Sequence, residues 1–326
     1  MLSLEGPMKP LKNFLLVGLT LLAFTACQPA ENDSNTQSSI GKETLTIQHQ
    51  LGEIKLKSTP QKVAALDMND VDFLQVLDIP IAAVVSDFVP HFLNSYYKQQ
   101  KSLDIGAIVQ PNIERLYMAK PDLILITPLH SIHYEELSRI APTLHYDIDY
   151  KTSHQHIETI NQHLLDLGTI FNRKQQAENL VTTLNTRVSE LRKITEQSSK
   201  SALVLLHNNG SFNYFGQESR YGFIYNELGV KPAVETEASP SLHGQPISSE
   251  FISKHNPDII FIIDRTAVME RQPELDKYQI NNPLIRRTKA WQNEKVIITD
   301  ADAWYTTAAS PTSISIIIDE VRSAYD

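Results

Sequence analysis

Two stretches of the chain follow one pattern, and that repeat constrains the fold more than any other feature. Glu114-Arg115-Leu116-Tyr117-Met118-Ala119-Lys120-Pro121-Asp122 leads into the apolar run Leu123–Ile126, and Glu250-Phe251-Ile252-Ser253-Lys254-His255-Asn256-Pro257-Asp258 leads into Ile259–Ile262. Each reads as a helix opened by a glutamate, broken at Pro-Asp, and followed by a strand buried on both faces of a parallel sheet. Each is preceded by a further strand and helix: Lys62–Leu66, Val71–Leu77 and Ile79–Val85 in the first half, Ala202–Leu206 and Tyr221–Leu228 in the second. Between the halves, apolar residues at helical spacing run from Ile157 through Leu164, Phe171, Leu184 and Leu191 to Ile194. The expected fold is therefore α/β: two similar three-layer lobes joined by one long helix, with a ligand cleft between them.

The expected boundaries are a signal peptide over 1–26, a tether over 27–42, an N-terminal lobe over 43–155, a connecting helical region over 156–198 and a C-terminal lobe over 199–326. Hydrophobic residues at 41% and charged residues at 21% fit a globular chain and exclude a disordered one. None of the 11 glycines forms G-x-G or a phosphate loop, which removes the dinucleotide and nucleoside triphosphate fingerprints. A net charge of −9 argues against nucleic acid as a partner. With Cys27 the sole cysteine, no intrachain disulfide, cysteine zinc site or C-x-x-C motif can form.

The N-terminus has the layout of an export signal. Met8–Asn13 is basic and Phe14–Phe24 is apolar but too short for a permanent span; Met8 reads as the true start. Leu22-Ala23-Phe24-Thr25-Ala26-Cys27 resembles a bacterial lipobox, with Phe24 where leucine is usual. The polar stretch 28–42 reads as a tether, so Cys27 is expected to carry a lipid that holds the protein at a membrane surface in the periplasm.

Four further stretches are specific: Ser219-Arg220-Tyr221-Gly222-Phe223, Leu242-His243-Gly244-Gln245, Ile263-Asp264-Arg265 and Asp302-Ala303-Trp304-Tyr305. With the repeat, the connecting helix and the lipobox, they resemble the substrate-binding lipoproteins of ABC importers, in the helical-backbone class that carries siderophores, haem and vitamin B12. Within it they are most similar to the subgroup that binds ferric catecholate siderophores. The resemblance spans residues 43–326 and implies a monomeric binding protein, not an enzyme. It has no intrinsic cofactor; ferric ion is cargo, carried as the siderophore complex.

By resemblance, Arg220 and Arg265 offset the negative charge of the cargo, and His243 and Tyr305 fill two iron positions that a four-oxygen chelate leaves open. Leu129 stands where the family often adds a third arginine, so His130 or His133 is expected to supply a weaker cation, and Tyr214 to line the cleft wall. Glu114 and Glu250, one per lobe, are expected to dock on paired arginines of the permease dimer.

Other readings stay open from residues alone. Haem, cobalamin or a bare transition metal would suit the same fold, and His130/His133 and His154/His156 are close pairs. A periplasmic enzyme could use Asp67, Asp70, Asp72 and the histidines, although no G-x-S-x-G motif is present.

Overall fold

The computed structural model describes residues 44–149, 155–235, 243–271, 275 and 280–326. The expected signal peptide 1–26, Cys27 and the tether lie outside the described residues. In chain order the strands are β1 (Leu45–His49), β2 (Gly52–Leu56), β3 (Val63–Ala65), β4 (Ile81–Val84), β5 (Leu103–Asp104), β6 (Gly106–Ala107), β7 (Gln110–Pro111), β8 (Leu123–Ile126), β9 (Thr143–His145), β10 (Ser201–Asn208), β11 (Ser211–Phe215), β12 (Lys231–Pro232), β13 (Gln245–Ile247), β14 (Ile259–Asp264) and β15 (Val296–Ile298).

The first lobe holds a sheet of order β5-β4-β3-β8-β9, parallel throughout. The second has the order β13-β11-β10-β14-β15, with β12 beside β10. Here β10, β12, β14 and β15 run parallel, whereas β11 is antiparallel to β10 and pairs antiparallel with β13 on its other side. The lobes differ because Asn209 (φ 47°) and Gly210 (φ 81°) form a two-residue turn that folds β11 straight back on β10.

The repeat has a physical cause. Both Glu-bearing helices, Ile113–Ala119 and Ser249–His255, end on a left-handed residue, Lys120 (φ 49°) and Asn256 (φ 42°). Proline follows and cannot extend the helix. The aspartate next to it then clips the start of the neighbouring strand. Asp122 accepts from the N–H groups of Gln61 and Lys62, both at 2.8 Å, and Asp258 accepts from that of Ser201 at 2.9 Å. The apolar runs that follow, β8 and β14, are wholly buried.

Burial raises the Asp258 carboxyl, but the Ser201 N–H and Lys289 outweigh it and hold the group below its usual range. Its contribution is therefore complete above the unfolded carboxylate pKa and is lost as pH falls through the lower folded value. Asp258→Ala is expected to cost about 1–3 kcal/mol at neutral pH and less in acid. Urea unfolding at both pH values checks this, and an equal deficit at each would contradict a charge-assisted clip.

The connecting region is two helices, His156–Ile170 and Lys174–Gln197, where the apolar spacing predicts one. Asn172 turns the chain at φ 57°. Gly168 allows the sharp return, since a Cβ there would lie 2.5 Å from that of Ala177. No described helix is long and apolar enough to cross a membrane.

A polar seam also ties the lobes. The Ala309 N–H donates to Asn69 Oδ1 (3.1 Å), the Thr312 N–H to Asp72 Oδ2 (2.7 Å) and the Tyr146 hydroxyl to the Ala309 carbonyl (2.9 Å). Burial pushes His156 down to about 4, so its neutral ring donates from Nε2 to the Ala308 carbonyl at 2.9 Å. His156 is thus a seam residue, and its neighbour His154 lies outside the described residues. One apolar cluster runs from the first lobe through the connecting helices to one face of the second sheet; the opposite face has its own.

Candidate functional site

A cavity of about 1070 Å³ opens between the lobes. The carboxyl ends of β9 and β10, and the residues that follow β8 and β14, feed it, as is usual where parallel strands of an α/β sheet end. Arg220, Arg265, His243 and Tyr305 all line it, although they come from four separate stretches of the second lobe.

Tyr305 lies on a π-helical turn, Asp302–Thr306, whose preceding residue Trp304 is fully buried. Arg265 follows β14 directly, and its Nε–H donates to the Tyr305 hydroxyl at 2.8 Å while a terminal nitrogen donates to Asn208 Oδ1 at 2.9 Å. Arg220 donates to the Tyr305 carbonyl from the turn after β11. The Arg220 and Arg265 guanidiniums lie 5.3 and 5.7 Å from the Tyr305 ring centre, close enough for cation–π attraction. Asp264 positions Arg265 by accepting from the Thr266 N–H at 3.2 Å, from the Leu275 N–H at 2.9 Å and from the His207 ring at 2.9 Å.

His243 is exposed at the cavity edge, and its carbonyl accepts from Asn213 Nδ2 at 2.7 Å. Gly244 follows at φ 72°, and a Cβ there would fall 2.8 Å from the Phe215 ring. Only glycine lets this loop close on β11, which explains the His-Gly pair.

The first-lobe wall is different. Leu129 lines it and is 55% exposed; no arginine lines this side among the described residues. Asp67, whose carboxyl is raised by burial and then by Asp70, accepts there from the Asn69 N–H (2.8 Å) and the Thr127 hydroxyl (3.1 Å).

Two expected wall residues lie elsewhere. Tyr214 precedes Phe215 on β11. Because alternate side chains of a strand face opposite ways, Phe215 meets the cavity and Tyr214 packs against Phe251 in the other core. Burial pushes its hydroxyl up to about 12. His130 turns inward at 1% exposure, its Nε2 bonded to the Ile108 carbonyl at 2.7 Å, so it braces the β6–β7 hairpin and does not line the cavity. His133 faces Glu136 at 3.9 Å, away from the cavity wall.

Glu114 and Glu250 are exposed at matching second positions of their helices. Bonds from Ser248 and from its own backbone N–H hold the Glu250 carboxyl below its usual range. His91, Asp300 and Asp302 are the described cluster of metal-donor side chains, and they lie off the cavity wall. Their geometry is an inter-lobe clasp, the His91 N–H donating to Asp302 Oδ2 at 2.8 Å.

Asn208, Asn213 and Phe215, which place or flank the four lining residues, are not among the residues expected from sequence. Their positions at the end of β10 and on its hairpin partner are the available signal.

A family model described as periplasmic binding protein matches residues 63–303. The ferric-anguibactin-binding protein FatB of Vibrio anguillarum is 53% identical over 311 residues, 95% of this chain and 96% of that protein. The siderophore-binding protein BauB, solved with a complex of two acinetobactin molecules and ferric iron, is 52% identical with a TM-score of 0.83, covering 87% of this chain and 99% of that one. The periplasmic catecholate-siderophore binding protein VctP of Vibrio cholerae is 28% identical with a TM-score of 0.79, covering 86% and 100%. Matching repeats around one cleft, a second-lobe wall set with arginines and these extensive likenesses lead to one conclusion: the chain belongs to the periplasmic binding protein family.

Proposed function

We propose that this chain captures a ferric catecholate siderophore in the inter-lobe cavity and delivers it to an ABC permease for iron uptake. The observation that carries the reading is the convergence of Arg220, Arg265, His243 and Tyr305 on one cavity of about 1070 Å³. That is the upper end of the range for small-molecule sites. Support also comes from FatB, BauB and VctP, whose names tie them to ferric or siderophore ligands.

In this reading the guanidiniums meet catecholate oxygens with fixed, charge-assisted donors. A ferric ion wants about six hard donors. Where the chelate supplies four oxygens, the Tyr305 phenolate and the His243 imidazole complete the shell. Cys27 carries the lipid that keeps the monomer at a membrane surface outside the cytoplasm.

Trp304, next to Tyr305, is a built-in reporter. Titration with a ferric catecholate is expected to quench its fluorescence at sub-micromolar ligand, while the iron-free catecholate quenches far less. No quenching by any ferric chelate would end the proposal.

The exposed pair Glu114 and Glu250 would steer and orient docking on the permease. Glu114→Ala with Glu250→Ala is expected to leave the quenching curve unchanged and to reduce cellular uptake of radioactive iron by about tenfold or more, the scale of losing about 1.4 kcal/mol in docking. Normal uptake in the double variant would remove this role.

A further inference from the structure

The first-lobe wall carries a side-chain relay that cargo capture does not use. Ser131 and His145 both line the cavity. Ser131 lies in the 3₁₀ turn Pro128–His133 after β8, and His145 ends the adjacent parallel strand β9. The Ser131 hydroxyl lies 3.2 Å from His145 Nε2, and His145 Nδ1 lies 2.6 Å from Asp147 Oδ1. Asp147 is held in turn by the Gln50 N–H, at 3.1 and 2.9 Å from its two oxygens.

The roles follow from donors and acceptors. The Asp147 carboxylate accepts, so the Nδ1 proton points to it. The Nε2 lone pair is then left to accept from the Ser131 hydroxyl. The His145 side chain is only 3% exposed, which holds the ring in one orientation, whereas Ser131 is half-buried at the cavity surface. A nucleophile, a base bonded to it and a carboxylate that fixes the base are recognised by geometry and not by chain order.

We propose that Ser131, His145 and Asp147 form a nucleophilic relay that attacks carboxylic esters admitted to the cavity, an activity beyond cargo capture. Ser131 Oγ bonds to the ester carbonyl carbon as its proton passes to His145 Nε2. The ester C–O bond breaks, and the departing alkoxide leaves as an alcohol with that proton. Water then attacks the acyl-serine, giving a proton to His145. The bond to Oγ breaks, Ser131 regains its proton and a carboxylic acid departs. A fluorophosphonate stops at the first stage: phosphorus bonds to Oγ, fluoride leaves and no water step follows.

The full chain is incubated with a fluorophosphonate probe, and the adduct is located by peptide mass spectrometry. The expected result is one adduct per chain on Ser131, absent in Ser131→Ala and formed at least about 100-fold more slowly in His145→Gln, the scale of a lost general base. Mapping the unmodified protein needs no variant, and circular dichroism shows whether each variant is folded. A ferric catecholate bound beforehand is expected to protect Ser131. No adduct on Ser131 under conditions that fully label a serine esterase overturns the relay. An undiminished rate in folded His145→Gln overturns it equally.

Discussion

Alanine at both Arg220 and Arg265 is expected to weaken capture of a ferric catecholate by about a thousandfold. Each guanidinium would supply charge-assisted hydrogen bonds to an anionic chelate in a partly enclosed cavity. Two such contacts at about 2 kcal/mol each give ~4 kcal/mol, or ~10³ in Kd. The chain is acidic overall, and no arginine lines the first-lobe wall among the described residues, so little nearby charge replaces what is lost. Both guanidiniums also lie near the Tyr305 ring, and the double variant removes both of these cation–π partners. Arg187→Ala is the control. That arginine pairs with Asp319 away from the cavity and is expected to change affinity less than threefold, within ~0.6 kcal/mol. Fluorescence titration of the three proteins decides the matter. Similar losses in the control and the double variant would mean that the arginines act through general charge.

The second large effect separates chelates by denticity. Tyr305→Phe and His243→Ala are each expected to weaken binding of a ferric chelate with four donor oxygens by about a hundredfold, and of one with six donors by less than about fivefold. A six-donor complex leaves iron no open position, so only packing and hydrogen bonds are lost. Tyr305→Phe also removes the acceptor that Arg265 Nε–H meets at 2.8 Å, a loss common to both chelates, so their ratio is the informative quantity. Asn213 holds the His243 backbone carbonyl, a contact that His243→Ala leaves in place. Visible absorption adds an independent signature: the phenolate-to-iron band of the four-donor complex is expected to vanish in Tyr305→Phe. Equal losses for both chelates would contradict coordination by these side chains.

The lobes were legible because their cause is local. A left-handed cap, a proline and a strand-clipping aspartate recur at fixed spacing, and each leaves a mark in the residues themselves. The break at Asn172 was less visible because apolar spacing continues across it; Gly168 opposite Ala177 was the available clue. The antiparallel β11 was signalled by Asn209-Gly210, a hairpin turn inside an otherwise parallel pattern.

Side-chain direction was harder to read. Tyr214 and Phe215 are adjacent aromatics on one strand, and only the register decides which meets the cavity. Leu129 and His130 likewise trade places on a tight 3₁₀ turn, leaving the apolar side chain exposed and the imidazole inside. Ser131, His145 and Asp147 carry no shared motif. They meet because β8 and β9 are neighbours in the sheet, a fact of topology and not of spacing.

The most direct test of the whole account is a crystal of the protein grown with a four-donor ferric catecholate, with anomalous scattering used to locate the metal. The expected result is a single strong iron peak between the lobes, in coordination reach of the Tyr305 oxygen and the His243 ring, with Arg220 and Arg265 against the chelate. An iron peak elsewhere, or an empty cavity at saturating ligand, would contradict it.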